Sequence, residues 1–148
     1  MAAETSAETV YERTHLEHEQ LRERIKFLHQ RFDARSATPD EIVRLLGELR
    51  AALGTHFNNE ECEGFFEQIV TQAPQLSRQA LKLTHEHVDM LERLDAIVRA
   101  AEISAADGVF PDDLAARFHE FAKTLMHHES EENGMLQSAY QDDIGTKD

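Results

Sequence analysis

The chain has no tryptophan, one cysteine, three prolines and six glycines in 148 residues. With Cys62 alone, no internal disulfide can form, and the expected compartment is a reducing one, the cytoplasm. So few prolines and glycines leave little material for the turns of a many-stranded sheet. Apolar runs are all too short to span a bilayer. Residues 1–7 carry neither a basic stretch nor an apolar stretch, so they do not read as a secretory signal; they are expected to be disordered. Positive charge is also short: 15 basic residues face 29 acidic ones, a formal net charge of −14. That balance speaks against nucleic acid and against anionic membrane surfaces as partners. It suits a protein that attracts cations.

What remains is a composition rich in Ala, Leu, Glu and Arg, which is helical. Apolar residues recur at helical spacing in four stretches. The first runs from about residue 8 to 34 with Val10, Leu21, Ile25, Leu28 and Phe32 on one face. The second opens at Thr38-Pro39-Asp40-Glu41, where Thr38 can cap and Glu41 can complete a capping box. It carries Ile42, Leu45, Leu46, Leu49 and Leu53, then Phe65, Phe66 and Ile69, and is expected to run unbroken to about Gln72, before Pro74. The third spans about 75–103 with Leu76, Leu83, Met90, Leu91, Leu94, Ile97 and Val98. Beyond a loop at Ser104–Gly108, the fourth spans about 112–139 with Leu114, Phe118, Phe121 and Leu125. Four amphipathic helices with short connections predict an all-α fold, an up-down-up-down antiparallel four-helix bundle over residues 8–140. Residues 141–148 form a C-terminal tail in this reading, expected to be irregular over 144–148.

Histidines interrupt all four stripes. His18, His56, His87 and His128 each fall on the apolar face, where a polar ring needs a reason. His56–Glu60 and His128–Glu132 are four apart, so ring and carboxylate share a face. A competing pair, His127–Glu131, overlaps the last one, but His127 follows a polar line and His128 follows Leu114, Phe118, Phe121 and Leu125. The heights agree as well. His18 and His56 lie symmetrically about the turn before Pro39, His87 and His128 almost symmetrically about Gly108, and His56–Glu60 and His87 within about one turn of each other about Pro74. The six residues His18, His56, Glu60, His87, His128 and Glu132 are therefore expected at one level of the bundle. Imidazole and carboxylate suit iron, and less specifically manganese or zinc, with Glu60 and Glu132 placed to bridge two ions. Spacing alone is weak, because 29 acidic residues make an H-x-x-x-[DE] pair common by chance. His15–Glu19, His29–Asp33 and His85–Asp89 have it too and read, with His119, as surface groups. No catalytic acid–base dyad stands out.

At these residues the chain resembles the hemerythrin-like (HHE cation-binding) family. His56-Phe57-Asn58-Asn59-Glu60-Glu61 is similar to its HFxxEE, Glu86-His87 to its third-helix EH, and His128-Glu129-Ser130-Glu131-Glu132-Asn133 to a bacterial HExxEN variant. The resemblance implies a four-helix bundle with two iron ions, carboxylate-bridged and oxo- or hydroxo-bridged. It departs from the oxygen carriers on the third helix, where Leu83 and Leu91 stand four residues either side of His87 and no second histidine ligand is evident. The implied functions are binding of a small ligand (oxygen, peroxide or nitric oxide) or sensing of iron or oxygen, with a partner protein supplying any signalling output. The alternatives are a peroxide-decomposing di-iron enzyme and a metal-free helical interaction module. Leu21, Ile25, Phe65, Leu91, Leu94, Phe121 and Leu125 are expected to line an apolar pocket beside the metals.

Overall fold

The computed structural model describes residues 7–34, 36–109 and 113–145, with backbone alone at 7–8 and 141–145. Among the described residues, five α-helices build it: α1 Ala7–Asp33, α2 Pro39–Cys62, α3 Phe65–Gln72, α4 Ser77–Asp107 and α5 Leu114–Gly145, with one 3₁₀ turn, Pro74–Leu76, before α4. α2 and α3 together form the second arm of the bundle. α1 packs on α2, α2 on α4, α4 on α5, and α5 closes back on α1. This is the all-α antiparallel four-helix bundle the periodicity predicts. No helix among the described residues is long and apolar enough to cross a membrane.

The local signals act as their chemistry requires. Thr38 caps α2, its hydroxyl accepting from the Glu41 amide at 3.2 Å, with Pro39 in the first turn. Glu41 also accepts from Arg31 at 2.8 Å, which ties α1 to α2 across the turn. α4 ends on Gly108, whose φ of 75° lets its amide return to Ser104 and Ala105 carbonyls.

Several boundaries depart from the sequence reading. The third helix does not stop near 103: α4 continues through most of the expected loop at Ser104–Gly108 to Asp107, and only Gly108 turns the chain. The second arm is not continuous: Gly64 adopts φ 107° and breaks it between Cys62 and Phe65. The apolar face resumes in α3, so periodicity alone gave no hint of the interruption. α5 also runs on to Gly145, past the expected end near Ala139 and into the tail expected to be irregular at 144–148, because no proline or glycine intervenes between Ala139 and Gly145. Of the start expected to be disordered, residues 1–7, Ala7 instead opens α1; residues 1–6 and the last three residues lie outside the described residues.

The core is divided along the bundle axis. One cluster gathers Leu21, Ile25 and Leu28 of α1, Ile42 to Phe57 of α2, Met90, Leu94 and Ile97 of α4, and Leu114 to Leu125 of α5. The other gathers Val10, Tyr11, Phe65, Phe66, Ile69, Leu83 and Met135. On every arm the change of cluster comes at a buried polar residue: His18, His56 with Glu60, His87, and His128 with Glu132. A polar layer thus crosses the bundle between two hydrophobic ones. Phe65 falls in the second cluster and the other six expected pocket-lining residues in or against the first, so the seven do not form one wall.

Candidate metal centre

The six residues come together. His18, His56, His87 and His128 are 1–2 % exposed, Glu60 1 % and Glu132 0 %. Each arm delivers its histidine at the same height because the turns at Ala37 and Gly108 and the Pro74 corner set the register. Helical spacing adds the carboxylates on the second and last arms.

The carboxylates sit between two pairs of imidazoles. Glu60 Oε2 lies 3.5 Å from His18 Nε2 and 3.3 Å from His56 Nε2, while its Oε1 lies 3.2 Å from His87 Nε2. Glu132 Oε1 lies 3.2 Å from His18 Nε2, and its Oε2 lies 3.4 Å from His128 Nε2 and 3.7 Å from His87 Nε2. Two four-residue groups result: His18, His56, Glu60, Glu132 and Glu60, His87, His128, Glu132, each with one donor atom per residue within 4.8 Å of the rest. Either group could hold a metal ion, and both glutamates belong to both groups.

Eight donor atoms at this centre, the four Nε2 atoms and both oxygens of Glu60 and Glu132, are buried without a hydrogen-bond partner. Buried carboxylates in that condition cost several kcal/mol each. A bundle whose histidines merely packed would have no reason to keep them. The electrostatics point the same way. Burial works to lower His18, but the facing Glu132 and Glu60 outweigh it and raise it to about 10. His87 rises to about 10 against the same opposition from burial, through Glu132 and Glu60. His56 rises to about 9, burial again being outweighed by Glu17 and Glu60. Glu132 resists its own burial and is held well below the usual carboxylate range by His128, His18 and His87. The centre is a trap for positive charge.

A second ring of carboxylates fixes the imidazoles. The Nδ1–H of His56 donates to Glu17 at 2.8 Å, that of His87 to Glu61 at 3.0 Å, and that of His128 to Glu86 at 2.8 Å. Asn59 Nδ2 donates to the other Glu17 oxygen at 2.6 Å. A proton held at Nδ1 leaves the Nε2 lone pair for the centre. In every case the supporting glutamate stands on the preceding arm. The sequence reading passed over Glu17 and used Glu61 and Glu86 only as motif letters. The available signal was adjacency: Glu17 precedes His18, Glu61 follows Glu60 and Glu86 precedes His87. Two further residues were missed. Phe57 stacks on His87, with ring centroids 3.8 Å apart and 6° between planes. Glu129 is buried at 3 % exposure, and burial pushes it up to about 7.

The other histidines lie off the centre. His127 is 77 % exposed and pairs with Glu131 at 2.8 Å, so the overlap on α5 resolves in favour of His128. His15 pairs with Glu19 at 3.2 Å on the surface, and His85 is exposed. His29 and His119 are not the separate solvated groups expected. They are half-buried and stacked on each other, 4.2 Å apart and 11° from parallel, where α5 closes on α1. That contact lies between distant segments, out of reach of local spacing.

Among curated proteins and solved structures, none matches the chain. A family model, the hemerythrin HHE cation-binding domain, matches residues 9–140, from near the start of α1 to the last turns of α5. With that match covering nearly the whole bundle, the chain belongs to the hemerythrin HHE cation-binding domain family.

Proposed function

We propose that this chain is a non-haem di-iron protein in which Glu60 and Glu132 would be shared by the two ions. His18 and His56 would hold one of them, and His87 and His128 the other. The observation that carries the reading is the sharing of both glutamates by the two donor groups. Two cations held that close repel, and bridging anions are the usual remedy. The donor set, nitrogen and carboxylate oxygen with no sulfur, fits iron.

When bound, such an ion pair supplies redox chemistry and coordination positions for a small ligand. The chain's own residues do the rest. Glu17, Glu61 and Glu86 orient three of the imidazoles. Phe57 and Phe66, at 3.8 and 5.7 Å from His87, shield that side from water. With hydrophobic layers above and below, the centre would admit a ligand as small as oxygen, peroxide or nitric oxide rather than a large substrate. The function proposed is binding of such a ligand, or sensing of iron or oxygen through it, with a separate protein as receiver of any signal.

Metal content tests the reading. Protein purified from iron-replete culture is expected to carry about two iron ions per chain, given the two donor groups, and to show a charge-transfer absorption that a chelator removes. Iron-free protein that also fails to take up ferrous ion anaerobically would reject it.

A further inference from the structure

Charge is sorted along the outer face of α4. His85 stands exposed near the middle of that face. Within two turns of it, at about 100° per residue, six residues fall within about 60° of its direction: Arg78, Leu81, Lys82, Val88, Asp89 and Glu92. All six are exposed. Both cations precede His85 and both carboxylates follow it.

The helix by itself gains nothing from that order. Arg78 and Lys82 are like charges four residues apart, and Asp89 and Glu92 are like charges three apart, so each pair repels along the helix. Arg78 also stands in the first turn, where the helix dipole disfavours a cation and where α4 has no acidic residue. Among the described residues, Arg78, Asp89 and Glu92 take part in no ion pair. Lys82 is engaged, 3.1 Å from Glu131 and 3.6 Å from Glu86, on a side chain still 60 % exposed. Beside these charges lie two large apolar side chains, Leu81 at 56 % and Val88 at 61 % exposure.

One operation makes the pattern self-complementary. A second copy is turned end for end about a two-fold axis at His85, so that the two α4 helices run antiparallel. Each residue then meets whatever stands as far beyond His85 as it stands before, on the same lateral side. Arg78 and Glu92 lie seven residues either side of His85, each about 20° from the centre line. Leu81 and Val88 lie four before and three after, both on one side, at about 40° and 60°. Lys82 and Asp89 lie three before and four after, both on the other side, at about 60° and 40°. Every pair forms twice, cation on carboxylate and apolar on apolar, and His85 meets its own copy on the axis. A parallel pairing would instead set Arg78 on Arg78 and Glu92 on Glu92. With a net charge of −14 on each copy, general electrostatics oppose association, so a contact between copies needs local complementarity of this kind.

We propose that the outer face of α4 is a homodimer contact, in which two copies lay this helix antiparallel across a two-fold axis at His85. One helix pair buries less surface than a standard interface, so the dimer is weak, with a dissociation constant of about 100 µM.

Sedimentation equilibrium of the full chain tests this on wild type, Arg78→Glu, Glu92→Arg, the two exchanged together, and Arg44→Glu. Wild type is expected to show a monomer–dimer equilibrium. Each single reversal at Arg78 or Glu92 turns two ion pairs into two repulsions and should weaken the dimer at least about tenfold. Arg78→Glu suits the helix dipole, so its effect cannot come from unfolding of α4. The double exchange should restore the wild-type constant. An equimolar mixture of the two single variants should dimerise at concentrations where neither does alone. Arg44→Glu makes the same change of charge at an exposed site on α2 and should leave the constant unmoved. Wild type that stays monomeric up to about 1 mM would overturn the inference. So would a dimer weakened equally by Arg44→Glu, since net charge alone would then be at work. A dimer that neither the double exchange nor the mixture restores would place the contact on another face and overturn it too.

Discussion

Single residues show how far chemistry could be read from position. His18, His56, His87 and His128 were legible because each breaks an apolar stripe, a place where a ring nitrogen is costly unless it has a partner. Glu17, Glu61 and Glu86 were not, since glutamates are everywhere in this chain and the rings they hold belong to other helices. Their role makes a prediction. Removing the acceptor at Nδ1 frees the ring to turn and lowers its basicity, so Glu17→Ala and Glu86→Ala should each weaken iron binding by about 10–100-fold. Competition against a chelator of known affinity measures this, and the helical circular dichroism should stay unchanged. The His29–His119 stack offers a test away from the centre. Burial and the neighbouring His119 lower His29 below its ordinary value. A histidine with a depressed native pKa takes up its proton more readily when the chain unfolds. Stability is therefore lost as pH falls through and below the unfolded value of about 6.5. His29→Gln should lose less stability than wild type between neutral pH and pH 5, measured by urea unfolding across that range. An equal loss in both proteins would contradict the assignment.

At the scale of the helix, caps were legible and the break was not. Thr38, Pro39 and Glu41 announce the start of α2 by their chemistry, and the structure places each in its role. Gly64 looked like any other glycine near the end of a helical pattern. Only the backbone shows that it takes φ 107°, which an L side chain tolerates poorly. Space is not the obstacle, because an added Cβ would meet only ordinary contacts, 3.7 Å to Gln68 and 3.8 Å to Val10. Gly47 is the reverse case, helical and exposed with nothing near its absent Cβ. Gly64→Ala should therefore destabilise the fold by about 1–2 kcal/mol, and Gly47→Ala should stabilise it by about 0.5–1 kcal/mol. Thermal unfolding of the metal-free proteins reads both. Changes of the same sign would show that the arm does not owe its break to Gly64.

For the whole molecule, register carried most of the information. Four stripes and three turns were enough to place six buried side chains at one height, because an antiparallel bundle with short connections permits little else. What register could not convey is how the layers close laterally. The pairing of His29 with His119, the stacking of Phe57 on His87 and the burial of Glu129 all arise between helices. A polar layer between two hydrophobic clusters also has a thermodynamic consequence. Empty, it keeps Glu60 and Glu132 buried at a cost, and any cation bound only in the folded state returns stability by mass action. Free metal at about 100 times its dissociation constant should add about 2.7 kcal/mol, which for a chain of this size raises the midpoint of thermal unfolding by about 5–10 °C. A midpoint unmoved by iron and by chelator would mean that the layer is not a metal site.

The most direct measurement is diffraction from iron-loaded crystals at the iron absorption edge. Two anomalous peaks are predicted between Glu60 and Glu132, one facing His18 and His56 and the other facing His87 and His128. A map with no peak in this layer, or with its peak at the surface pair of His127 and Glu131, would contradict the account.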